Sequence, residues 1–515
     1  MSSTNRKIAR ISALLIGISV LGNGFSLLKE MLVARAFGIS GAMDAFYAAL
    51  AVPAFISNLM MSVLTSIFIP MYVKVSAGER DRVASAVMNW IMLVACGLIV
   101  VLELFAPSVV RLFFHGLSPE TAGMAVCFIR QLNFTILATV LVSLFTGILN
   151  ARENFALPAA STMCVTFCIM GLVIYFPQSV GIYALSLGML GGLLLQALLL
   201  WRELRREGFR YIPTLNLDAR GAGGVMSSAL VFFTASLIAQ LSPLFSQMLA
   251  SWLPEGSIST LGYAGKLLQV PMVIFTGAIT TAVLPYFSMQ MAGGKLDELC
   301  YSLARSLRMT AYVLIPVSML TVVFARPAIR ILFQHGRFDE AATSMISAAF
   351  IFFAAQLFFN TAGMIIGRVF FAMQELWVFV KLSALLVPVN LLLSIILPRF
   401  MNPPVVGLTL ATSLGYLFGT LSLYVVLRRR LPGLPTGYIL DGIWKAVCSG
   451  LFATAAAWVV LSELSARLHS YMLAVALSAC AAVAAVTVAS HLLRVDEYKS
   501  LVKIAREKIS PLLKA

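Results

Sequence analysis

The sequence predicts an all-α polytopic membrane protein built from two related six-helix lobes and a terminal helix pair. Of its 515 residues, 60% are hydrophobic and 11% are charged, and the mean hydropathy is +0.95. A soluble domain needs a larger polar surface than this composition supplies. Apolar stretches of about 20 residues, the length that crosses a bilayer, recur between charge clusters. One 16-residue motif also occurs twice, at 107–122 and 327–342.

Charged residues, prolines and glycines divide the apolar stretches into about 14 predicted transmembrane helices. Because this number is even, both termini are predicted to lie on the same side of the membrane. The predicted helices are 10–37, 43–74, 84–107, 120–149, 156–177, 181–201, 224–253, 258–289, 304–325, 341–371, 377–397, 404–427, 439–462 and 470–492.

The net charge of +16 comes from basic residues in short loops rather than on one face of a domain. This pattern favours a membrane topology signal over a nucleic-acid partner, because cytoplasmic loops carry the excess of Lys and Arg. The basic loops alternate along the chain, which predicts that both termini are cytoplasmic. Members of this basic set are Arg152, Arg206, Arg305, Arg308 and Arg429.

The repeated motif indicates an internal duplication. Pro70 matches Pro285, and Ala77-Gly78 matches Ala292-Gly293. Six helices per copy give the two lobes the same orientation, and in transporters such parallel repeats flank a central substrate site. The predicted domains are an N-terminal lobe, a C-terminal lobe, a transmembrane helix pair and an amphipathic cytoplasmic tail. Their ranges are 1–212, 220–430, 436–493 and 494–515.

Both copies of the motif read Pro-x4-Leu-Phe-x-His-Gly-x3-Glu-x-Ala, a pattern that predicts a corner between two helices. The proline ends one helix, the glycine permits the reversal, and the glutamate complements the dipole of the next helix. His115 and His335 are predicted to form hydrogen bonds within their corners; a proton-handling or metal role is the alternative. The other motif positions are Pro107 and Pro327, Gly116 and Gly336, and Glu120 and Glu340.

Ionisable residues within a span are costly, so each is a candidate for function. Lys29 and Glu30 are adjacent in the first predicted helix and point about 100° apart. Lys29 is therefore predicted to face a cavity while Glu30 turns to another partner. For Lys29 and Lys266 the alternative is a structural salt bridge, or a side chain that reaches to the membrane interface. Lys266 and Gln269 lie in the eighth predicted helix. A cationic cavity favours an anionic substrate such as a diphosphate.

Predicted interruptions in the first helix of each lobe point to the same cavity. Gly22 and Gly24 flank Asn23 in the first helix, and Pro243 lies in the seventh. Loosened helices expose backbone groups that can line a polar cavity. Two further charges, Arg35 and Asp44, are predicted to act in gating or at helix ends.

Six segments together resemble the MurJ/MviN family of lipid II flippases, within the superfamily of multidrug, oligosaccharidyl-lipid and polysaccharide exporters. They are spread over most of the range 10–430 and read GNGFSLLKEMLVARAFGISGAMDAFYAALAVP, IFIPMYVKV, ILNARENFALPA, YAGKLLQVP, AVLPYFSMQMAGG and LFQHGRF. The resemblance implies a central cationic cavity, a hydrophobic groove toward the last two helices for a polyprenyl tail, and alternating access without covalent chemistry.

The resemblance also implies the cargo, an undecaprenyl-diphosphate-linked saccharide, with lipid II for peptidoglycan biosynthesis as the expected one. It would move from the cytoplasmic to the periplasmic leaflet of the bacterial inner membrane. The expected state is a monomer without metal or cofactor, surrounded by membrane lipid, and cell-wall synthesis proteins are the expected protein partners. Three driving forces are left as alternatives for transport: the membrane potential, H⁺ and Na⁺.

The chain departs from the family pattern at several cationic positions. Lys29-Glu30 stands where the family has Arg-Asp, and Asn23 stands where it has arginine. Ser57-Asn58 replaces paired arginines, and Ala264-Gly265-Lys266 replaces Ala-Asp-Arg. Lysine meets a diphosphate as a point charge, whereas arginine binds it bidentately.

These losses leave another lipid-linked glycan, such as an exopolysaccharide or O-antigen repeat unit, as the alternative cargo. A drug exchanged for a cation is a less favoured alternative, because the basic cavity and the scarcity of carboxylates within the predicted spans oppose it. A membrane-embedded transferase acting on polyprenyl lipids is disfavoured, because the sequence has no run of aspartates that would hold Mg²⁺ and diphosphate.

Overall fold

The computed structural model describes residues 3–76, 78–176, 179–216, 223–273, 277–468 and 470–499. Within these ranges the chain forms helices and no strands. The α-helices are α1 Ser3–Phe37, α2 Gly41–Val63, α3 Ile69–Lys74, α4 Arg80–Phe113, α5 Pro119–Ala151, α6 Ala156–Ser161, α7 Met163–Tyr175, α8 Ala184–Arg206, α9 Gly223–Ala250, α10 Ser257–Pro271, α11 Gly277–Ala292, α12 Leu296–Phe333, α13 Glu340–Ala354, α14 Gln356–Ala372, α15 Leu376–Ile396, α16 Val405–Arg430, α17 Thr436–Arg467 and α18 Tyr471–Leu492.

The described helices confirm the predicted fold class. Eleven helical segments of the described chain are long and apolar enough to cross a membrane, with mean hydropathies between 1.6 and 2.4. A helix satisfies its own backbone hydrogen bonds, which is the condition for crossing hydrocarbon. The protein is therefore a multi-pass membrane protein, and the total of about 14 spans stays a prediction.

The chain divides into two compact units. Unit 1 holds Met1–Gly262 and His335–Asp339, and unit 2 holds Tyr263–Gln334 and Glu340–Ala515. The division falls within α10, whose first turn belongs to unit 1. The lobe boundaries predicted from the sequence duplication stay a prediction. Three parts of the predicted features lie outside the described residues: Ala77, Arg220 at the start of the predicted C-terminal lobe, and residues 500–515 of the predicted tail.

Unit 1 is organised around α2 and α5. Helix α2 packs against α5 and α9, helix α5 also packs against α4 and α8, and α1 packs against α6 and α7. A short π-helix, Leu64–Phe68, joins α2 to α3. The buried core beside this π-helix includes Leu64, Phe68, Tyr72, Leu144, Ile148 and Leu200.

An extended segment, residues 207–216, runs along α4 and is here called the strap. Asp81, Ser85 and Asn89 recur every fourth residue of α4, so they share one face of the helix. This face, together with Trp90, binds backbone groups of the strap. The bonds join Arg210 N to Asp81 Oδ2 (2.9 Å), Ile212 N to Ser85 Oγ (3.0 Å), Asn89 Nδ2 to Thr214 O (2.8 Å), Trp90 Nε1 to Leu215 O (2.9 Å) and Tyr211 Oη to Asn89 Oδ1 (2.8 Å).

Unit 2 is organised around α12, which packs against α13, α14 and α17. Small residues let α17 approach α12 closely. A Cβ atom at Gly442 would lie 2.6 Å from Cγ of Arg308, and one at Gly450 would lie 2.7 Å from Sδ of Met319. Close approach through small residues is a usual basis of helix association in membranes.

Several predicted helix ends and interruptions are wrong. Pro107 lies inside α4 and Pro327 inside α12, and each helix runs on to the Leu-Phe pair of the motif. Helix α1 is continuous through Gly22 and Gly24, and α9 is continuous through Pro243. Proline and glycine are tolerated in membrane helices. Hydrocarbon contains no water to bind the backbone groups that such a residue frees, and neighbouring protein groups supply their hydrogen bonds instead.

Candidate functional site

The Lys29 and Glu30 side chains of α1 pair with each other. Lys29 Nζ lies 2.8 Å from Glu30 Oε1, and the two side chains are 14% and 9% exposed. The prediction that Glu30 turns to another partner is therefore wrong. The reason is the flexible four-carbon stem of lysine, which bends the ammonium back across the 100° between neighbouring residues. The pair has no net charge. An anion that binds Lys29 must therefore compete with the Glu30 carboxylate for the ammonium group.

Neutral polar side chains form two rungs between α2 and α9. Asn58 Nδ2 donates a 3.2 Å hydrogen bond to Gln240 Oε1, and the hydroxyls of Ser62 and Ser236 are also hydrogen-bonded to each other. On α2 the residues Asn58 and Ser62 are four apart, and on α9 the residues Ser236 and Gln240 are four apart. Residues at this spacing lie on one face of a helix, so the two rungs join one face of α2 to one face of α9. An amide side chain has two donor hydrogens and an acceptor oxygen, and the bond between Asn58 and Gln240 uses one group of each amide.

Two other predicted site residues, Ser57 and Asn23, lie on α2 and α1. Ser57 is buried in α2, next to the exposed Asn58. Asn23 is half-buried in α1, and its Nδ2 donates a 2.9 Å hydrogen bond to Ser19 O within the same helix.

Asp44 and Glu255 cap each other's helices. Asp44 is 3% exposed, and its carboxylate accepts hydrogen bonds from Gly256 N (2.6 Å) and Ser259 N (2.7 Å) at the start of α10. Glu255 Oε1 in turn accepts from Gly41 N (2.6 Å) at the start of α2. Carboxylates at helix N-termini satisfy free N–H groups and complement the dipole. Asp44 is thus a helix-end charge, as predicted, although it caps a different helix from its own.

The two copies of the sequence motif form corners that dock on crossed partners. The first corner, residues 114–118, meets the end of α9: a Cβ atom at Gly116 would lie 2.1 Å from Ser251 O. The second corner, residues 335–339, meets the end of α1: Arg337 N donates a 3.0 Å hydrogen bond to Arg35 O. Each corner therefore packs against the predicted first helix of the other lobe.

Glycine is required at both corners. Gly336 has φ +66°, and a Cβ atom there would lie 2.5 Å from Arg35 O. The predicted reversal at the glycines is confirmed, as are the positions of Glu120 and Glu340 in the first turns of α5 and α13.

The backbone of His335 makes a hydrogen bond within its corner, as predicted, and the ring of His115 makes an aromatic contact. The His115 ring packs on the Trp252 ring, with centroids 5.3 Å apart, and the backbone carbonyl of His335 accepts from Phe338 N. Within the described residues, no group of three His, Cys, Asp or Glu side chains is placed to hold a metal ion.

Lys266 and Gln269 belong to unit 2. Lys266 is half-buried and Gln269 is exposed on α10. Their predicted grouping with Lys29 stays a prediction.

Unit 2 contains a half-open apolar cavity of about 510 Å³. Its wall comes from α12, α14, α16 and α17, and its surface is almost wholly carbon. The volume lies within the about 300–1,000 Å³ of small-molecule sites, and burial of hydrocarbon stabilises by about 0.8 kcal/mol per CH₂. Lining residues include Leu307, Phe358, Ala362, Tyr424, Ile443 and Val447.

Sequence reasoning missed Glu255, the serine rung and the composition of this cavity. An acidic residue directly before a predicted helix, as in LPEGS, is a recognisable capping signal for Glu255. Ser62 and Ser236 stand one helical turn from Asn58 and Gln240, which is a weaker signal. The cavity wall comes from four separate helices, and no local pattern marks its members.

Comparison with known proteins gives a family match over most of the chain. Residues 33–479 match the family model described as "Lipid II flippase MurJ". A relative from Burkholderia cenocepacia, named lipid II flippase MurJ, is 26% identical over 430 residues, which is 80% of this chain and 82% of the relative. A second relative, from Synechocystis, is named a probable lipid II flippase MurJ and is 24% identical over 88% of both chains.

Among solved structures, the lipid II flippase MurJ in its inward closed conformation superposes with a TM-score of 0.78 at 21% identity. The superposition covers 95% of this chain and 100% of that structure.

Proposed function

Because the chain belongs to the MurJ family of lipid II flippases, we propose that it moves lipid II, an undecaprenyl-diphosphate-linked saccharide, from the cytoplasmic to the periplasmic leaflet by alternating access. Transport of this kind makes and breaks no covalent bond. The family match over residues 33–479 favours this cargo over another lipid-linked glycan or a drug.

The observation that carries the proposal is the apolar cavity of unit 2. A carrier of a polyprenyl lipid must accommodate a long hydrocarbon chain beside a polar head. The cavity of about 510 Å³ offers an almost entirely carbon surface, formed partly by the penultimate helix α17. We assign the polyprenyl tail to this cavity.

We assign Lys29 and Lys266 as the cations that bind the diphosphate of the head group. This assignment rests on the resemblance described above, in which both residues stand at charged positions of the family. A diphosphate that approaches Lys29 competes with Glu30, which lies 2.8 Å from the ammonium. We also assign the amides of Asn58 and Gln240 to the saccharide, because amide groups can both donate to and accept from its hydroxyls.

The remaining parts of the proposal concern placement and energy. Both termini are placed in the cytoplasm of a bacterium, which puts the corners and the Asp44 and Glu255 caps on the periplasmic face. The chain acts as a monomer in the inner membrane, next to enzymes of cell-wall synthesis, and is driven by the membrane potential, H⁺ or Na⁺.

Complementation tests the proposal directly. Cells depleted of their own lipid II flippase should grow when they express this chain, and lipid II should become accessible at the outer leaflet. Failure of a well-expressed chain to restore either growth or lipid II exposure would reject lipid II as the cargo.

A matched pair of α17 variants tests the assigned tail site. Val447→Trp fills part of the cavity and should lower flipping strongly, whereas Val459→Trp, on an exposed position of the same helix, should leave it unchanged. Equal activity of the two variants would remove the cavity from the proposal.

A further inference from the structure

Arg308 of α12 is a buried cation with a complete set of partners. Its side chain is 1% exposed. Nε donates to Glu497 Oε1, and Nη2 donates to Glu497 Oε2 at 3.3 Å. Nη1 donates to Tyr438 O at 2.9 Å and to Asp441 Oδ2 at 3.4 Å. The guanidinium also lies 3.9 Å from the centre of the Tyr438 ring.

This cluster borders the apolar cavity on two helices. Leu307, the neighbour of Arg308, lines the cavity from α12. On α17, the lining residues Ile439, Leu440 and Ile443 alternate with the residues that contact Arg308. The cluster therefore joins the two wall segments directly.

The interface between α12 and α17 needs such a contact to fix its register. Gly442, Ala446 and Gly450 bring the backbones together, but small side chains interlock little along the helix axes. A bidentate pair between a guanidinium and a carboxylate has a fixed geometry.

Glu497 is held in place by an ordered turn after α18. Helix α18 ends at Leu492, and Val495 N then donates a 2.9 Å hydrogen bond to Ser490 O. Val495 is 1% exposed. The hydroxyls of Ser490 and Tyr312 are hydrogen-bonded at 2.8 Å, which ties the same turn to α12.

We propose that Arg308 and Glu497 are positioning residues that hold α17 against α12 and thereby set the width of the apolar cavity. Glu497, although it follows the last helix α18, then belongs to the machinery that receives hydrocarbon. The part of this inference that concerns substrate rests on the proposed function.

Glu497→Gln tests the proposal, because it removes the charge and keeps the shape. Asp496→Asn is the matched control, since the neighbouring carboxylate is 66% exposed. Nitroxide labels on exposed Arg305 of α12 and Trp444 of α17, in a cysteine-free background, report the separation of the helices. Glu497→Gln should lengthen and broaden this distance, and Asp496→Asn should not.

Substrate handling is the second readout. With a photoactivatable polyprenyl phosphate as the probe, Glu497→Gln should need at least tenfold more probe for half-maximal labelling of the cavity. The flipping rate at saturating lipid should fall by a much smaller factor than the apparent affinity for the probe. An unchanged distance, or a changed distance with unchanged labelling, would overturn the proposal.

Two further measurements separate possible failures. Asp441→Asn alters a carboxylate that is 46% exposed, so it should fold even if Glu497→Gln does not, and it should shift the distance in the same direction. If the unaltered chain captures no polyprenyl phosphate, the assignment of the tail site fails, while the label distance still decides whether Arg308 and Glu497 position α17.

Discussion

The backbone N–H of Arg337 donates a 3.0 Å hydrogen bond to the carbonyl oxygen of Arg35, which joins the second corner to the last turn of α1. The first corner meets the end of α9 in the corresponding way, through Gly116 and Ser251. The repeated motif is thus a pair of crossed contacts at one end of unit 1.

Gly336→Ala should weaken the second corner. The residue has φ +66° and its new Cβ would meet Arg35 O at 2.5 Å, so the variant should lose about 1–3 kcal/mol of stability. Thermal unfolding in detergent measures this loss. Gly123→Ala is the control, because a Cβ there meets nothing within 4 Å and alanine favours a helix by about 1 kcal/mol. Equal unfolding temperatures for the two variants would contradict the prediction.

Asp44→Ala should uncap α10 and cost about 0.5–2 kcal/mol. Glu255→Ala should cost less, because Glu255 is exposed and accepts one backbone bond rather than two. Both carboxylates join the α1–α2 loop to the α9–α10 loop, so the double variant should lose less than the sum of the single losses. Thermal unfolding of the four proteins measures this coupling, and strict additivity would show that the caps act independently.

Lys29→Ala and Lys266→Ala should each abolish flipping while the protein still folds and inserts. The reason is the loss of a cation assigned to the diphosphate. The measurement is lipid II exposure at the outer leaflet, normalised to the amount of folded protein. Lys381→Ala, on an exposed position of α15, is the control and should remain active. Normal flipping by both Lys29 and Lys266 variants would remove these residues from the site.

Asn89→Ala should release the strap, because Asn89 binds both Thr214 O and the Tyr211 hydroxyl. Hydrogen exchange at the amides of Arg210 and Ile212 should then accelerate about tenfold, the factor that 1.4 kcal/mol of lost protection produces. Arg82→Ala alters an exposed residue of the same helix and should leave this exchange unchanged. Unaltered exchange in Asn89→Ala would show that the other bonds suffice.

The sequence predicts the features of this protein that depend on local chemistry. Hydropathy locates the helices, and the His-Gly motif locates both corners, because reversal at a glycine is decided within a few residues. The partners of the corners depend on where distant helices end, so Arg35 and Ser251 carried no local signal. Lys29 and Glu30 show the same limit at one position. Their spacing sets the directions of their Cβ atoms, but the flexible lysine stem decides where the ammonium lies.

The crossed corners also set an order for the biogenesis of the protein. Residues 335–339 complete unit 1, yet they are synthesised only after residues 263–334 of unit 2 have left the ribosome. The contact at Arg35 must therefore stay open while most of α12 is inserted into the membrane. During this interval the end of α1 lacks its native neighbour, so a nascent chain paused before residue 335 is expected to be a preferred target for membrane proteases or chaperones.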